Sequence, residues 1–433
     1  MPKISFMTLG CKLNYAETST YERGFIREGF EVVPPSEKAD ICLVNTCSVT
    51  EHSDKKCRNI IRKMHRICPD ADIVVTGCSA QLRRGRIEKI EGVKFVFGAM
   101  EKGSVVRTVT EYVRNGRQTE FRPVSPAVTG ATPHREDGND STVFPAYSSG
   151  ERTRSFLKVQ DGCDYKCAYC TVPYARGASR NIPIAEIISQ ANEIAATGIR
   201  EIVLTGVNTG DFGKTTGESF LDLLKRLNEV DGIERYRISS IEPNLLTEEI
   251  VDWIASGTKF LPHFHIPLQS GSDTVLKAMG RRYDTSAFSR KISHIRERME
   301  KDGKPRVFFG IDVIAGFPGE TEELFRETYG FLEHEIRPAF IHIFPYSRRP
   351  GTPAAAMKGQ VQDRVKTERV ARLEDLCRRL HAEFIASNRG TAGKVLFESS
   401  DKNGMMYGYT ENYIRIERPY DPDMVGRIID ITV

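Results

Sequence analysis

Cys163, Cys167 and Cys170 stand in the run Asp161-Gly-Cys-Asp-Tyr-Lys-Cys-Ala-Tyr-Cys, a C-x3-C-x2-C loop. Three thiolates so closely spaced can hold three irons of a cubane iron–sulfur cluster, leaving the fourth iron open to a substrate or cofactor. Zinc is the main rival, but a structural zinc site wants four ligands, and no fourth Cys or His lies near this loop. Three buried cysteines packed as small hydrophobes are the remaining alternative.

A second set of thiols is dispersed. Cys11 lies in Thr8-Leu-Gly-Cys-Lys-Leu-Asn, Cys47 in Asn45-Thr-Cys-Ser-Val-Thr and Cys78 in Val75-Thr-Gly-Cys. Each follows a strand-like stretch (Ile4–Leu9, Ala39–Val44 and Ala71–Thr76), with further strand patterns at Glu31–Val33 and Val93–Phe97. Helical patterns at Tyr15–Glu28, Asp54–Arg66 and Leu82–Ile90 alternate with them. This alternation predicts an α/β domain with a doubly wound parallel sheet, whose ligands collect beyond the carboxyl ends of the strands. Cys11, Cys47 and Cys78 are thus expected to converge at one sheet edge and to hold a second cluster with an open iron. Cys42, Cys57, Cys68 and Cys377 fall in strand or helix patterns and read as small apolar fillers.

The elements that position these thiols form a chain of 433 residues, long enough for two or three domains. No run near eighteen apolar residues and no signal-like N-terminus occur, so a cytoplasmic protein without a membrane span is expected. In such a chain ten cysteines point to metal or catalysis rather than to disulfides. Residues 1–121 form the first expected domain, and the Pro, Gly, Ser and Asp content of 122–151 reads as a linker.

Six strand-helix units in 152–362, with strands at Ser155–Val159, Glu201–Thr205, Tyr236–Ser239, His263–Pro267, Arg306–Val313 and Ala339–Phe344, predict a partial or full (β/α) barrel. The C-x3-C-x2-C loop falls at the carboxyl end of its first strand. Tyr169, Thr205, Gly206, Asn208, Ser240, Glu242, Gln269, Ser270, Asp312, Gly316 and Phe317 fall in or beside the same edge. They are the candidates to bind a cofactor, through close backbone approach at glycine and side-chain hydrogen bonds. A charged helix over 363–390 and a small β-barrel over 391–433 complete the chain.

The net charge of +4 is too mild to prove a nucleic-acid partner. Its distribution says more: Lys55, Lys56, Arg58, Arg62, Lys63 and Arg66 crowd one helix just after Cys47, and a second basic stretch runs from Arg281 to Arg306. Tyr407, Tyr409 and Tyr413 read as exposed rings that could stack on bases, or as ordinary strand aromatics.

The first loop, with an aromatic before its last cysteine, resembles the signature of the radical S-adenosylmethionine (SAM) superfamily. Together with Cys11, Cys47, Cys78 and a terminal β-module, the whole chain resembles the methylthiotransferases, and Thr8-Leu-Gly-Cys-Lys-Leu-Asn with His342-Ile-Phe-Pro-Tyr-Ser-Arg-Arg-Pro-Gly-Thr-Pro is most similar to the threonylcarbamoyladenosine branch. The resemblance implies two 4Fe-4S clusters, SAM, a TRAM-like RNA-binding module, an electron-donor protein and a sulfur source. It also implies replacement of the C2 hydrogen of N6-threonylcarbamoyladenosine in tRNA by a methylthio group, by a radical mechanism using two SAM molecules. Isopentenyladenosine in tRNA and an aspartate of a ribosomal protein are the sister substrates; an iron–sulfur RNA-binding or redox-sensing protein is the non-enzymatic alternative. A threonylcarbamoyl group ends in a carboxylate, for which Arg176, Arg180, Arg348 and Arg349 are the candidate partners.

Overall fold

The computed structural model describes residues 1–48, 50–117, 143–150, 153–301, 304–399 and 403–433. Its first unit is a parallel sheet of β1 (Lys3–Thr8), β2 (Glu31–Val32), β3 (Ile41–Thr46), β4 (Asp72–Gly77) and β5 (Val93–Phe97), in the order β2-β1-β3-β4-β5. Around it lie α1 (Lys12–Arg27), α2 (Glu51–Ile67), α3 (Cys78–Leu82), α4 (Arg84–Ile87) and α5 (Val105–Arg114). Every residue of β3 is buried, as a central parallel strand covered on both faces requires. Separate apolar cores fill the two faces. One joins Tyr21, Phe25, Phe95 and Val109; the other joins Ile61, Met64, Ile73 and Val75.

The single helix expected over Leu82–Ile90 is instead two short ones, α3 and α4, broken at Arg83. Arg84 accounts for the second: its guanidinium is held by the Val96 carbonyl and the Glu101 carboxylate, which fixes this segment against β5 rather than along the first axis.

The second unit is built on six parallel strands in two groups. β6 (Arg154–Lys158), β9 (Glu201–Thr205) and β10 (Arg235–Ile238) form the order β10-β9-β6; β11 (His263–Gln269), β12 (Phe308–Ala315) and β13 (Phe340–Pro345) form the other, and the short β7 (Gln160–Asp161) and β8 (Arg180–Asn181) pair antiparallel beside them. The groups meet where the Ile241 N–H donates to the His265 carbonyl at 3.1 Å. No pairing joins β13 to β6 among the described residues, so the barrel is partial and open on one side. Helices α6 (Val172–Arg176), α7 (Ile184–Ala196), α8 (Phe220–Asn228), α9 (Glu248–Ala255), α10 (Asp273–Met279), α11 (Thr285–Met299), α12 (Glu322–Gly330) and α13 (Pro353–Ala356) follow, and α14 (Asp363–Ser387) packs on β13. Most of the expected linker lies outside the described residues. Its end does not behave as a spacer: Tyr147 bridges Leu157 antiparallel, and Lys158 donates from its main chain to the Ala146 carbonyl, covering the edge of β6.

The last unit is an antiparallel sheet of β14 (Ala392–Phe397), β15 (Met405–Thr410), β16 (Arg415–Pro419) and β17 (Ile428–Thr432), in the order β16-β15-β14-β17. Tyr407, Tyr409 and Tyr413 are half-buried rather than exposed. Tyr413 stacks on Tyr409 at 4.6 Å and meets His263 of the barrel at 4.7 Å, so two of these rings face the interior and not solvent.

Candidate active site with two cysteine triads

Cys11 caps the N-terminus of α1, Cys47 follows β3 and Cys78 opens α3, so all three leave the same edge of the first sheet. Local geometry holds them there. Gly77 has φ 99°, and a Cβ on it would lie 2.3 Å from the Thr46 carbonyl oxygen, so only glycine lets β4 turn into Cys78 against β3. Asn14 ties two of the loops: its amide donates to the carbonyls of Leu9 at 2.7 Å and Thr46 at 3.0 Å. Cys57, expected as filler, is buried against Cys47, its thiol donating to the Cys47 carbonyl at 3.2 Å. Burial pushes that thiol up to about 11, which keeps it a neutral packing group. Cys42, Cys68 and Cys377 are likewise buried.

In the other triad the backbone is aimed at sulfur: the Tyr165 N–H donates to Cys163 Sγ and the Val172 N–H to Cys170 Sγ, both at 3.4 Å. Arg281 donates to Cys167 Sγ at 3.3 Å and to the Tyr169 hydroxyl at 3.2 Å, while its other nitrogen pairs with Glu242. Burial raises the thiols of Cys163 and Cys170, to about 11 and about 12. These three cysteines would hold a cluster as thiolates, with the N–H groups of Tyr165 and Val172 and the Arg281 guanidinium donating to their sulfurs. The donor set fits a cluster better than one ion. Each triad offers three thiols and its loop no fourth Cys or His, the donor set of a cubane with one open iron rather than of a closed four-ligand zinc site.

The loop is anchored by main chain, with the Ala168 N–H on the Met279 carbonyl at 2.9 Å and the Cys163 N–H on the Gly177 carbonyl at 3.1 Å. Gly162 has φ 74°, and a Cβ there would sit 1.9 Å from the Ala178 carbonyl oxygen. Gly162→Ala is thus expected to lose the cluster at Cys163, Cys167 and Cys170 while the first domain still loads. Iron content falls by about half and SAM cleavage disappears; full iron content would show that Ala178 yields.

The expected cofactor residues divide into free and committed groups. Thr205 Oγ1 and both amide atoms of Asn208 are buried without a partner, as is Ser239 Oγ, which the sequence reading passed over. Orphaned donors and acceptors at the carboxyl ends of β9 and β10 are a cradle that a polar ligand such as SAM would satisfy. Gly206 lies against Gln160, whose side-chain oxygen accepts from the N–H groups of Val207 and Asn208 at 2.9 Å. Ser240 accepts through its carbonyl from Thr209, Ser270 bonds Thr328 and Asp312 bonds His265 at 2.7 Å. Gln269 lines a cavity of about 240 Å3 with Asp312 and Tyr169, and Phe317 packs edge-on against Tyr169 at 6.5 Å. Gly316 is crowded by Lys366, and its N–H donates to Glu320 at 2.7 Å.

Two of the four expected substrate arginines are spoken for. Arg176 is buried between Asp161 at 2.9 Å, Glu17 at 3.3 Å and the Asn14 side chain at 2.8 Å. Arg349 is buried against Asp54 at 2.9 Å and Ser48 at 2.8 Å. Both guanidiniums bind the first domain instead of awaiting a ligand, a long-range pairing invisible to a reading by sequence proximity. Arg180 donates to the Arg176 carbonyl and Arg348 to the Ala355 carbonyl, each at 2.8 Å.

These arginines tie the two cysteine-bearing domains together. Arg176 follows the cysteine loop and grips Asn14, which braces the loops of Cys11 and Cys47; Arg349 and Ser347 grip the start of α2 from the other side. The 240 Å3 cavity is lined by Thr50 of the first domain and by Tyr169 of the second.

Family matches agree with this two-part site. The model of uncharacterized protein family UPF0004 matches residues 3–98, and that of the Radical SAM superfamily matches residues 157–332. The threonylcarbamoyladenosine tRNA methylthiotransferase MtaB of Bacillus subtilis is 38% identical over 100% of this chain and 94% of its own. The chain belongs to the radical SAM methylthiotransferase family, in its MtaB branch. A tRNA-2-methylthio-N(6)-dimethylallyladenosine synthase of Geobacter metallireducens is 32% identical over 98% of this chain and 94% of its own. In fold, the chain resembles the radical SAM methyltransferase TsrM of Kitasatospora setae, solved with cobalamin and a [4Fe-4S] cluster, with a TM-score of 0.59 and 17% identity over 82% of this chain and 74% of that one.

Proposed function

We infer that this methylthiotransferase inserts a methylthio group at C2 of N6-threonylcarbamoyladenosine in tRNA. The carrying observation is that the two triads stand on domains locked together by Arg176 and Arg349, with cavities lined from both domains at their junction, an arrangement that suits one substrate to both cysteine sites. When bound at those sites, two 4Fe-4S clusters and SAM supply hydrogen abstraction and sulfur, chemistry that an aromatic C–H of negligible acidity denies to a general base. The chain's own residues bind and position. Cys163, Cys167 and Cys170 would hold one cluster and Cys11, Cys47 and Cys78 the other. Thr205, Asn208 and Ser239 offer SAM its polar contacts, and Arg281 holds the cluster loop to Glu242.

RNA is met by α2, where Lys55, Lys56, Arg62, Lys63 and Arg66 are exposed beside the first triad, and by the terminal β-sheet acting as a TRAM-like module. No described helix is long and apolar enough to cross a membrane; a tRNA substrate places the enzyme in the cytoplasm. An electron-donor protein and a sulfur source are required partners. Identity of 38% to a threonylcarbamoyladenosine enzyme against 32% to a dimethylallyladenosine enzyme favours the first substrate. In tRNA digests from cells lacking the gene, 2-methylthio-threonylcarbamoyladenosine should be absent by mass spectrometry, with the unmethylthiolated nucleoside in its place. Unchanged levels would reject this substrate.

A further inference from the structure

A second cavity, of about 510 Å3, fills the open side of the barrel and is walled by all three units. Its size suits a nucleoside with a side group. Lys12 enters it from the first domain, one residue after Cys11; His265 and His342 come from the barrel, and Tyr409 and Tyr413 from the terminal sheet. Its far wall leads back to the cysteine loop, because His265 is bonded to Asp312, which lines the smaller cavity at Tyr169. Lys12, next to Cys11, and His265, bonded to Asp312 of the smaller cavity, thus stand on opposite walls of the chamber.

Its chemistry is one-sided. No carboxylate lines it, while Lys12, Arg154, Arg237 and Arg415 do. The arginines are neutralised from behind: Arg154 pairs with Glu398, Arg237 with Glu201 at 2.8 Å and with the carbonyls of Thr410 and Glu411, and Arg415 with Glu417 at 2.5 Å. Lys12 has no hydrogen bond or ion pair among the described residues. It is water-accessible because it projects into the chamber. Lys12 is thus the one cation lining the chamber that is left free to meet an anionic ligand.

The walls say which. Tyr413 stacked on Tyr409 and His265 stacked on His342 at 4.8 Å give the chamber aromatic walls of the kind a base packs against, and Gly310 contributes no side chain to the space. A base turned out of its strand would enter such a chamber and leave its phosphates at the rim, so the anion inside belongs to the base.

We propose that Lys12 recognises the carboxylate that ends the threonylcarbamoyl group and thereby selects this substrate over an adenosine with a neutral side group. This rests on the substrate reading above. The test compares anticodon-hairpin RNAs carrying threonylcarbamoyladenosine or its methyl ester, which keeps the shape without the charge. Wild-type protein should prefer the acid; in Lys12→Met the acid-over-ester ratio of kcat/KM should fall by ~10–100-fold, the range of a charge-assisted hydrogen bond. Lys12→Arg should restore part of it. Equal loss on both RNAs, with a salt dependence of binding reduced by about one ion, would mark a phosphate contact and overturn the proposal. So would an unchanged ratio. Equilibrium dialysis of the free acid and ester nucleosides reads Lys12 without turnover. If wild-type protein converts neither RNA yet binds the acid through Lys12, the substrate reading fails and the anion site stands.

Discussion

Cys47→Ala should abolish methylthiolation, a loss of at least ~10³-fold given that three thiolates are needed to retain an open-iron cluster, while SAM cleavage stays measurable. The expectation follows from the separation of the triads. Cys47 lies in the first domain with Cys11 and Cys78, whereas the loop of Cys163, Cys167 and Cys170 is anchored by the main chain of Met279 and Gly177 in the second. The substitution removes one buried sulfur and leaves a small void against Cys57 and Leu9, so the fold survives it. Iron content should fall by about half. Release of 5′-deoxyadenosine on reduction, measured beside product, is the readout; equal loss of both would refute the division of labour between the domains.

The second large effect lies at the interface that sets the spacing of the two sites. Glu17 on α1 is fully buried and receives Lys102 at 2.8 Å, Lys158 at 3.0 Å and Arg176 at 3.3 Å, while Asp161 receives Lys158 at 2.7 Å and Arg176 at 2.9 Å. Three cations against two carboxylates leave one positive charge, and Arg176 lies within the electrostatic reach of Cys11 and Cys78. That surplus suits an anionic thiolate cluster. Glu17→Gln leaves three buried cations facing Asp161 alone, and removing one partner of a buried network costs ~3–5 kcal/mol. Denaturant unfolding of the cluster-loaded protein should show this loss, together with fewer methylthio products per SAM cleaved as the domains lose register. A change below ~1 kcal/mol, the size of an exposed pair, would mean the network is not a strut.

The same network fixes a pH dependence. The surrounding cations hold Glu17 and Asp161 below their ordinary carboxylate ranges, despite the opposing effect of burial. Folded values below unfolded ones mean that this stability is fully present above the ordinary carboxylate range and is lost as pH falls through it toward the folded values. Glu17→Gln should flatten part of that acid limb.

The placement of the six cysteines at two sheet edges was legible because each carries a local signal: a tight spacing in one case, and the carboxyl end of a strand in the other. The alternation of strands and helices was legible for the same reason, since periodicity is a local property. Pairings across domains were not. Arg176 read as a substrate contact because it follows the cysteine loop, but its partner Glu17 stands 159 positions earlier. Lys12 drew no notice beside Cys11, since the residues that leave it without a partner come from three separate units of the chain. The tyrosines of the terminal sheet read as exposed because strand alternation marks a face and cannot say that the barrel covers it.

The most direct test uses purified protein reconstituted with iron and sulfide, given SAM, a reductant and tRNA carrying threonylcarbamoyladenosine, followed by mass spectrometry of the nucleosides. The expected result is 2-methylthio-threonylcarbamoyladenosine formed together with 5′-deoxyadenosine. SAM cleavage without any methylthiolated nucleoside, from protein with both triads loaded, would contradict the account.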